Sequence, residues 1–416
     1  MGPVPSPPSE VTISEARELA GAWARDLDVI AREMFEYLTA RIPEASADPE
    51  IAGLTLASCA SNTEAVLSMI RHGIPASATE APVAALEHAR KMAGRSGGID
   101  ATLRFYRLGH AFFWERWSAA LVDAVEDRDR LVTALRETAA FVFDYIDSIS
   151  ARVGAEHIAE RERRQRRAAI VRADVVRAVL AGEDVDVAAA ERALGRPLAG
   201  PQLAFLCWTT GDPAPLERAA LAVAHAVGTA RPLLLPDGPN ALGGWVAPAA
   251  ARAVPPPDLL LAAARDAAPE AHVALGEVAA GLAGFRSSRR QAERARRIAV
   301  LAERRAPSVT RYADVALADL LARDVEAARA FVAAELGGLA AGDPAAARAR
   351  AALREVVAPQ GGLAAAARAL GLHRNTVLQR VRRAEELRGR PATERPAELH
   401  AALLLADVLG PAVLAD

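Results

Sequence analysis

Gly361-Gly362-Leu363-Ala364-Ala365-Ala366-Ala367-Arg368-Ala369-Leu370-Gly371-Leu372-His373-Arg374-Asn375-Thr376-Val377-Leu378-Gln379-Arg380-Val381 is the stretch of this 416-residue chain whose reading decides its architecture. Ala367 is small where two helices must cross closely, Gly371 permits a tight turn, and Val377 supplies an inward apolar side chain. On a helix beginning near Arg374, the residues Val377, Val381, Ala384 and Leu387 share one face and are expected to pack on the preceding helices. Asn375, Gln379, Arg382 and Arg383 then point outward. This is helix-turn-helix logic over 363–388: short polar side chains at the start of the second helix reach base edges, and arginines bind guanine or neutralise phosphate. The candidate DNA-facing set is Arg374, Asn375, Thr376, Leu378, Gln379, Arg380, Arg382 and Arg383. Between Leu363 and Arg390 seven arginines face two acids, Glu385 and Glu386, in a chain of net charge -2, so the basic patch lies on the motif. The competing reading is a plain helical hairpin with a solvated arginine face.

Working outward, 52% apolar and 25% charged residues describe a soluble chain of two or three domains. Apolar runs such as Leu259 to Ala264 are broken well before the ~18 residues of a membrane span. The Pro- and Ser-rich residues 1–10 lack the charged start and apolar stretch of a secretory signal, which predicts a disordered tail and a cytoplasmic protein. Cys59 and Cys207 stand apart from each other and from any histidine cluster, so no disulfide and no metal site is expected. Lys91 is the only lysine; nearly every cation is arginine, a bias of GC-rich bacterial coding.

Residues 11–155 carry apolar positions at helical spacing, as in Leu19, Trp23, Leu27 and Ile30, with breaks at Pro43, Pro75, Pro82 and Arg95 to Gly98. A helical domain follows from that pattern. Residues 156–180 read as a connecting helix, whose charged run Glu160 to Arg167 interleaves acids with arginines and suits a solvated surface. Within 181–325 the texture changes: Leu203 to Thr209, Pro232 to Leu235 and His272 to Leu275 are short apolar runs bounded by Gly and Pro, alternating with helical segments such as Pro215 to Val227. An α/β domain is expected there, closing with the basic helix Arg286 to Glu303 and with Tyr312 to Leu321. The helical segment Asp324 to Gly337 leads into a final helical domain, 326–416.

The segment Leu353 to Leu409, above all Leu370 to Thr376 and Arg380 to Arg390, resembles the terminal DNA-binding domain of the PucR/CdaR regulators. It departs from that family at Gln379, where Tyr is common, and at Leu378, where a polar or basic residue is usual; both bear on which operator is read. Leu275-Gly276-Glu277, Gly281 to Ser288 and Val309 to Asp314 are similar to the central domain of the same family, which implies a degenerate GGDEF-like fold used for assembly or regulation. Residues 11–155 resemble, by texture, RsbR-like helical sensor domains.

A cyclase needs carboxylates for metal ions and a loop for phosphates, whereas Gly243-Gly244-Trp245-Val246 keeps two glycines without an acidic pair. No catalytic residue and no cofactor is therefore expected. Gly276, Gly281 and Gly284 are read as turn and close-packing glycines, and Arg286, Arg289 and Arg290 as a helical face that could also hold an anion. In the first domain Tyr106, His110, Phe113, Trp114 and Trp117 concentrate scarce aromatics: they read as core, with an effector pocket as the functional alternative. His110 invites a haem ligand, although a lone histidine among aromatics is usually a satisfied core residue. The expected partners are double-stranded DNA, a second copy of the chain, and a small-molecule or protein effector, with no membrane. Two rivals stand beside this reading, a protein-interaction or stress-signalling scaffold and a nucleotide-processing enzyme.

Overall fold

The computed structural model describes residues 11–95, 98–229, 231–248, 257–303, 308–358 and 361–415, so the tail read at 1–10 lies outside the described residues, as do Ser96 and Gly97. The chain is mainly helical with a small mixed sheet, and it divides into two units, 1–170 and 171–416. Among the described residues no helix is long and apolar enough to cross a membrane.

The first unit is built from α1 (Ser14–Trp23), α2 (Leu27–Thr39), α3 (Pro49–His72), α4 (Val83–Met92), α5 (Gly98–Ala124) and the start of α6 (Arg128–Ala181). Local sequence sets the ends of α3. The Asp48 carboxylate accepts from the Ile51 N–H at 2.9 Å, Pro49 follows at the first helical position, and Gly73 closes the helix at φ 63. Because α3 packs against α1, α2 and α4, its Ile51, Cys59, Leu67 and Ile70 are buried, and burial pushes the Cys59 thiol up to about 12. Trp117 is fully enclosed, edge-on to Trp23 at 5.2 Å and stacked with Phe113 at 5.6 Å. Lys91, on α4, pairs with Glu50 on α3.

Residues 156–180 form the later part of α6, which runs unbroken for 54 residues. The charged run sustains the helix, because Arg164 pairs with Glu160 at 2.9 Å and Arg166 with Glu162 at 3.4 Å, each four residues apart.

In the second unit, after α7 (Val187–Leu194), come β1 (Pro201–Trp208), α8 (Leu216–Ala226), β2 (Leu233–Pro236), β3 (Ala241–Val246), α9 (Pro257–Ala267), β4 (His272–Leu275), β5 (Ala279–Ala280), α10 (Gly281–Ala302) and β6 (Val309–Arg311). The sheet order is β2-β3-β1-β4-β6, with β5 also paired to β1; β4 and β6 are parallel and the other pairs antiparallel. β1 is apolar from Leu203 to Trp208 because both its faces are covered there. Leu203, Phe205 and Cys207 point into the core made with α8 and α9, whereas Leu206 and Trp208 join the core that includes α10.

Gly243 and Gly244, weighed in the sequence as the nearest candidate for a cyclase motif and set aside for want of an acidic pair, lie inside β3, opposite Leu206 and Phe205. A Cβ on Gly244 would overlap the Cζ edge of the Phe205 ring, and one on Gly243 would meet the Arg289 guanidinium. These positions stay bare because neighbouring side chains lie across the strand. Gly276 and Gly284 are bare for a related reason: a Cβ there would strike the backbone of Ser288 and of Ala279 respectively, and the Ser288 hydroxyl accepts from the Ala204 N–H at 2.8 Å. Close packing of α10 on the sheet thus explains both glycines. Arg289 is buried and paired with Asp237 and Glu293, which occupies the middle of the three arginines considered for an anion.

The chain continues through α11 (Tyr312–Leu321), α12 (Val325–Leu336), α13 (Pro344–Val357), α14 (Leu363–Leu370), α15 (Arg374–Arg388) and α16 (Pro396–Leu409). Asp324 caps α12 and Asp343 caps α13, each through its carboxylate. One continuous apolar core joins Leu206 of β1 and Ile298 of α10 to Val377 of α15 and Leu403 of α16.

Gly244→Ala should cost about 1–3 kcal/mol, because the buried Phe205 ring has nowhere to go; the shift of the urea midpoint of full-length protein measures it. His88 is 1% exposed, lies 4.7 Å from Phe105, and has no partner on either ring nitrogen, and burial pulls it down to about 4. The unfolded chain therefore takes up a proton that the folded chain refuses between the ordinary 6.5 and about 4, and stability falls as pH drops through that window. The loss from His88 amounts to about 3 kcal/mol. A His88→Leu variant should show a flatter dependence of melting temperature on pH over the same range.

Candidate nucleic-acid interface

The two helices of the motif are α14 and α15. Gly371 ends α14 at φ 64, and the Leu372 N–H returns to the Ala367 carbonyl at 2.9 Å. The fully buried alanine of α14 is Ala366, not Ala367, which is half-buried against the same core. His373 caps α15, its Nδ1 accepting from the Asn375 N–H at 3.2 Å, and Gly389 ends the helix at φ 76. α13 packs on both helices of the motif.

Val377, Val381 and Ala384 are buried and Leu387 is half-buried, so one side of α15 faces the core. The opposite side carries Asn375, Gln379, Arg382 and Arg383, all exposed, at the spacings that put them in one stripe. Thr376 and Arg380 flank the stripe on one side and Leu378 and Arg374 on the other; Arg374 is exposed and the other three are half-buried. Arg383 pairs with Glu386 at 3.0 Å on the surface, whereas among the described residues Arg374, Arg380 and Arg382 have no ion-pair partner.

Two of the seven arginines counted around the motif do other work. The Arg388 side chain is 0% exposed and binds the Glu335 carboxylate, itself 2% exposed on α12. Its Nη1 donates to the Pro391 carbonyl at 2.7 Å and its Nη2 to the Glu394 carbonyl at 2.9 Å. Arg390 and Arg395 reach the other Glu335 oxygen at 3.5 and 3.4 Å. This cluster ties the end of α15 to α12, and it removes Arg388 from any surface patch. Sequence reading missed Glu335, although its signal was present: Val332 and Leu336 lie on the same buried face, which makes Glu335 a carboxylate in an apolar row.

In the first unit, Tyr106, His110 and Phe113 line a cavity of about 60 Å³ together with residues of α2, α3 and α6. Trp114 and Trp117 do not line it; Trp117 is core and Trp114 packs half-buried beside it. A porphyrin does not fit a space of about 60 Å³. Burial lowers His110 below the ordinary histidine range.

Three families match successive parts of the chain. Residues 28–172 match the RsbT co-antagonist protein rsbRD N-terminal domain, 180–298 the GGDEF-like domain, and 349–405 the PucR C-terminal helix-turn-helix domain. Together these matches define a DNA-binding transcriptional regulator. Its three-part composition is that of the PucR/CdaR regulators. A crystal structure of a regulator of polyketide synthase expression from Bifidobacterium adolescentis is similar at 21% identity, over 57% of this chain and 92% of that one, with a TM-score of 0.30. No curated protein matches the chain.

Arg388→Met leaves Glu335 buried without its main partner and should cost about 3–5 kcal/mol. Replacing both ends, with Glu335→Leu and Arg388→Met, should recover most of that loss. Urea unfolding of the two variants checks the pair.

Proposed function

We propose that α15 is a recognition helix reading a specific DNA sequence from the major groove. The observation that carries this reading is the division of α15 into a packed apolar face and an exposed face of Asn375, Gln379, Arg382 and Arg383. Asn375 and Gln379 are amides that can bond adenine bidentately, Arg374 flanks them at the helix start, and Arg382 and Arg383 lie further along, where phosphates are met. Thr376, Leu378 and Arg380 border the stripe and touch the edges of the groove.

In this reading the chain works in parts: a helical sensor over 11–155, a connecting helix over 156–180, a GGDEF-like domain over 181–325 and a DNA-binding domain over 326–416. It acts in the cytoplasm as a homodimer that presents two copies of α15 to half-sites about one helical turn, ~34 Å, or a multiple of it apart. A small molecule or protein bound by the first domain then alters how the pair engages DNA. The middle domain takes part without catalysis, which its strand glycines support: the space a Cβ would take at Gly243 and Gly244 is filled by Arg289 and Phe205.

Selection of genomic fragments by full-length protein at near-physiological salt tests the reading. Recovery of one repeated or palindromic site, lost or altered with Asn375→Ala or Gln379→Ala, is the expected result. Arg382→Ala and Arg383→Ala should weaken binding to all sequences and reduce the salt slope by about 1 each. No enrichment in wild type, or four variants indistinguishable from it, would overturn the assignment and favour a protein-binding scaffold.

A further inference from the structure

One side of α6 faces away from the core of the first unit. Val132, Arg136, Ala140, Phe143, Asp147 and Ala151 are all exposed on it, and they fall within an arc of about 100° because they recur at steps of 4, 4, 3, 4 and 4 residues. The stripe covers about 30 Å of helix. Phe143 is 58% exposed and Val132 48%, and the Phe143 ring leans on His110, 4.9 Å away between centroids. An aromatic ring held at the surface among small side chains is the form that interface anchors take. Among the described residues neither Arg136 nor Asp147 has an ion-pair or hydrogen-bond partner.

The order of these residues fits a second copy of the chain. Their spacing is the same read from either end, and Val132 with Ala151, Arg136 with Asp147, and Ala140 with Phe143 are each centred on the peptide between Phe141 and Val142. A copy of the helix laid antiparallel across that centre meets the first through one two-fold axis, so that every contact occurs twice. Phe143 of each copy then lies level with Ala140 of the other, where a methyl leaves room for a ring. Arg136 lies level with Asp147 of the other copy, opposite charge against opposite charge, at both ends of the contact. Parallel pairing in register would set Arg136 against Arg136 and Asp147 against Asp147, which repel.

We propose that this face of α6 is a contact between two copies of the chain, an antiparallel helix pair centred between Phe141 and Val142, with Phe143 seated on Ala140 and Arg136 paired with Asp147 across the two-fold. The inference deepens the homodimer of the reading above, on which it rests, and is independent of how α15 meets DNA. A single helix pair is at the small end of stable interfaces, so the dimer should dissociate on dilution.

Sedimentation of full-length protein from nanomolar to high micromolar concentration measures the dissociation constant. Arg136→Glu and Asp147→Arg each place like charges together at both ends of the contact, and each should raise that constant about tenfold or more. The double variant exchanges the charges and should return to within about threefold of wild type. Phe143→Glu should weaken the dimer at least as much as either single charge variant. All four substitutions are at exposed positions, so helix content by circular dichroism should match wild type, which separates loss of the contact from loss of the fold. A dimer of unchanged strength in every variant would overturn the proposal and leave the homodimer to another surface, whereas a wild type that stays monomeric at all concentrations would overturn both. A double variant no tighter than the single ones would overturn the antiparallel pairing.

Discussion

Everything presented by α15 depends on one enclosed ion pair. Burying Glu335 and Arg388 together is tolerable because the guanidinium spends its donors on the carboxylate and on the carbonyls of Glu335, Pro391 and Glu394. A pair so placed contributes little net stability compared with a good apolar fit. What it supplies is direction: a planar fork accepts its partners in few orientations, so the end of α15 has one seat on α12. The apolar residues Val377, Val381 and Ala384 could slide or roll against alanine-rich neighbours; the buried charges penalise any register that leaves them apart.

The middle and terminal parts of the second unit are coupled by the same close packing. A core shared by β1, α10, α15 and α16 packs the helix-turn-helix and the sheet into one apolar interior. A displacement of α10 on the sheet meets resistance from Gly276 and Gly284, where backbone lies against backbone, and is passed on to α16. Interiors packed at crystal-like density transmit strain instead of absorbing it.

The parts legible in the sequence are those set by neighbours in the chain. The turn at Gly371, the two faces of α15 and the strands β1, β2 and β4 each follow from periodicity and punctuation within a few residues. The paired glycines of β3 had no explanation among their neighbours in the chain, and only the Phe205 ring and the Arg289 guanidinium, brought across by packing, account for them. The role of Arg388 was hidden for a similar reason, since its carboxylate lies 53 residues away. α6 runs on through a change of composition, because charged residues at i and i+4 prolong a helix as well as apolar ones do. Of the cavity wall, the aromatic positions on α5 stood out by scarcity.

The cations of this protein are chemically uniform, and that has a consequence for covalent control. The single side-chain amine, Lys91, sits in the first unit against Glu50, and every cation on the outward face of α15 is a guanidinium, set among amides and the carboxylate of Glu386. Acylation, which erases positive charge by capping amines, finds no target there. Nor does any physiological pH discharge an arginine. The charge offered by α15 is therefore permanent, and dissolved salt, a competing polyanion or burial of the helix itself are the means left for silencing it.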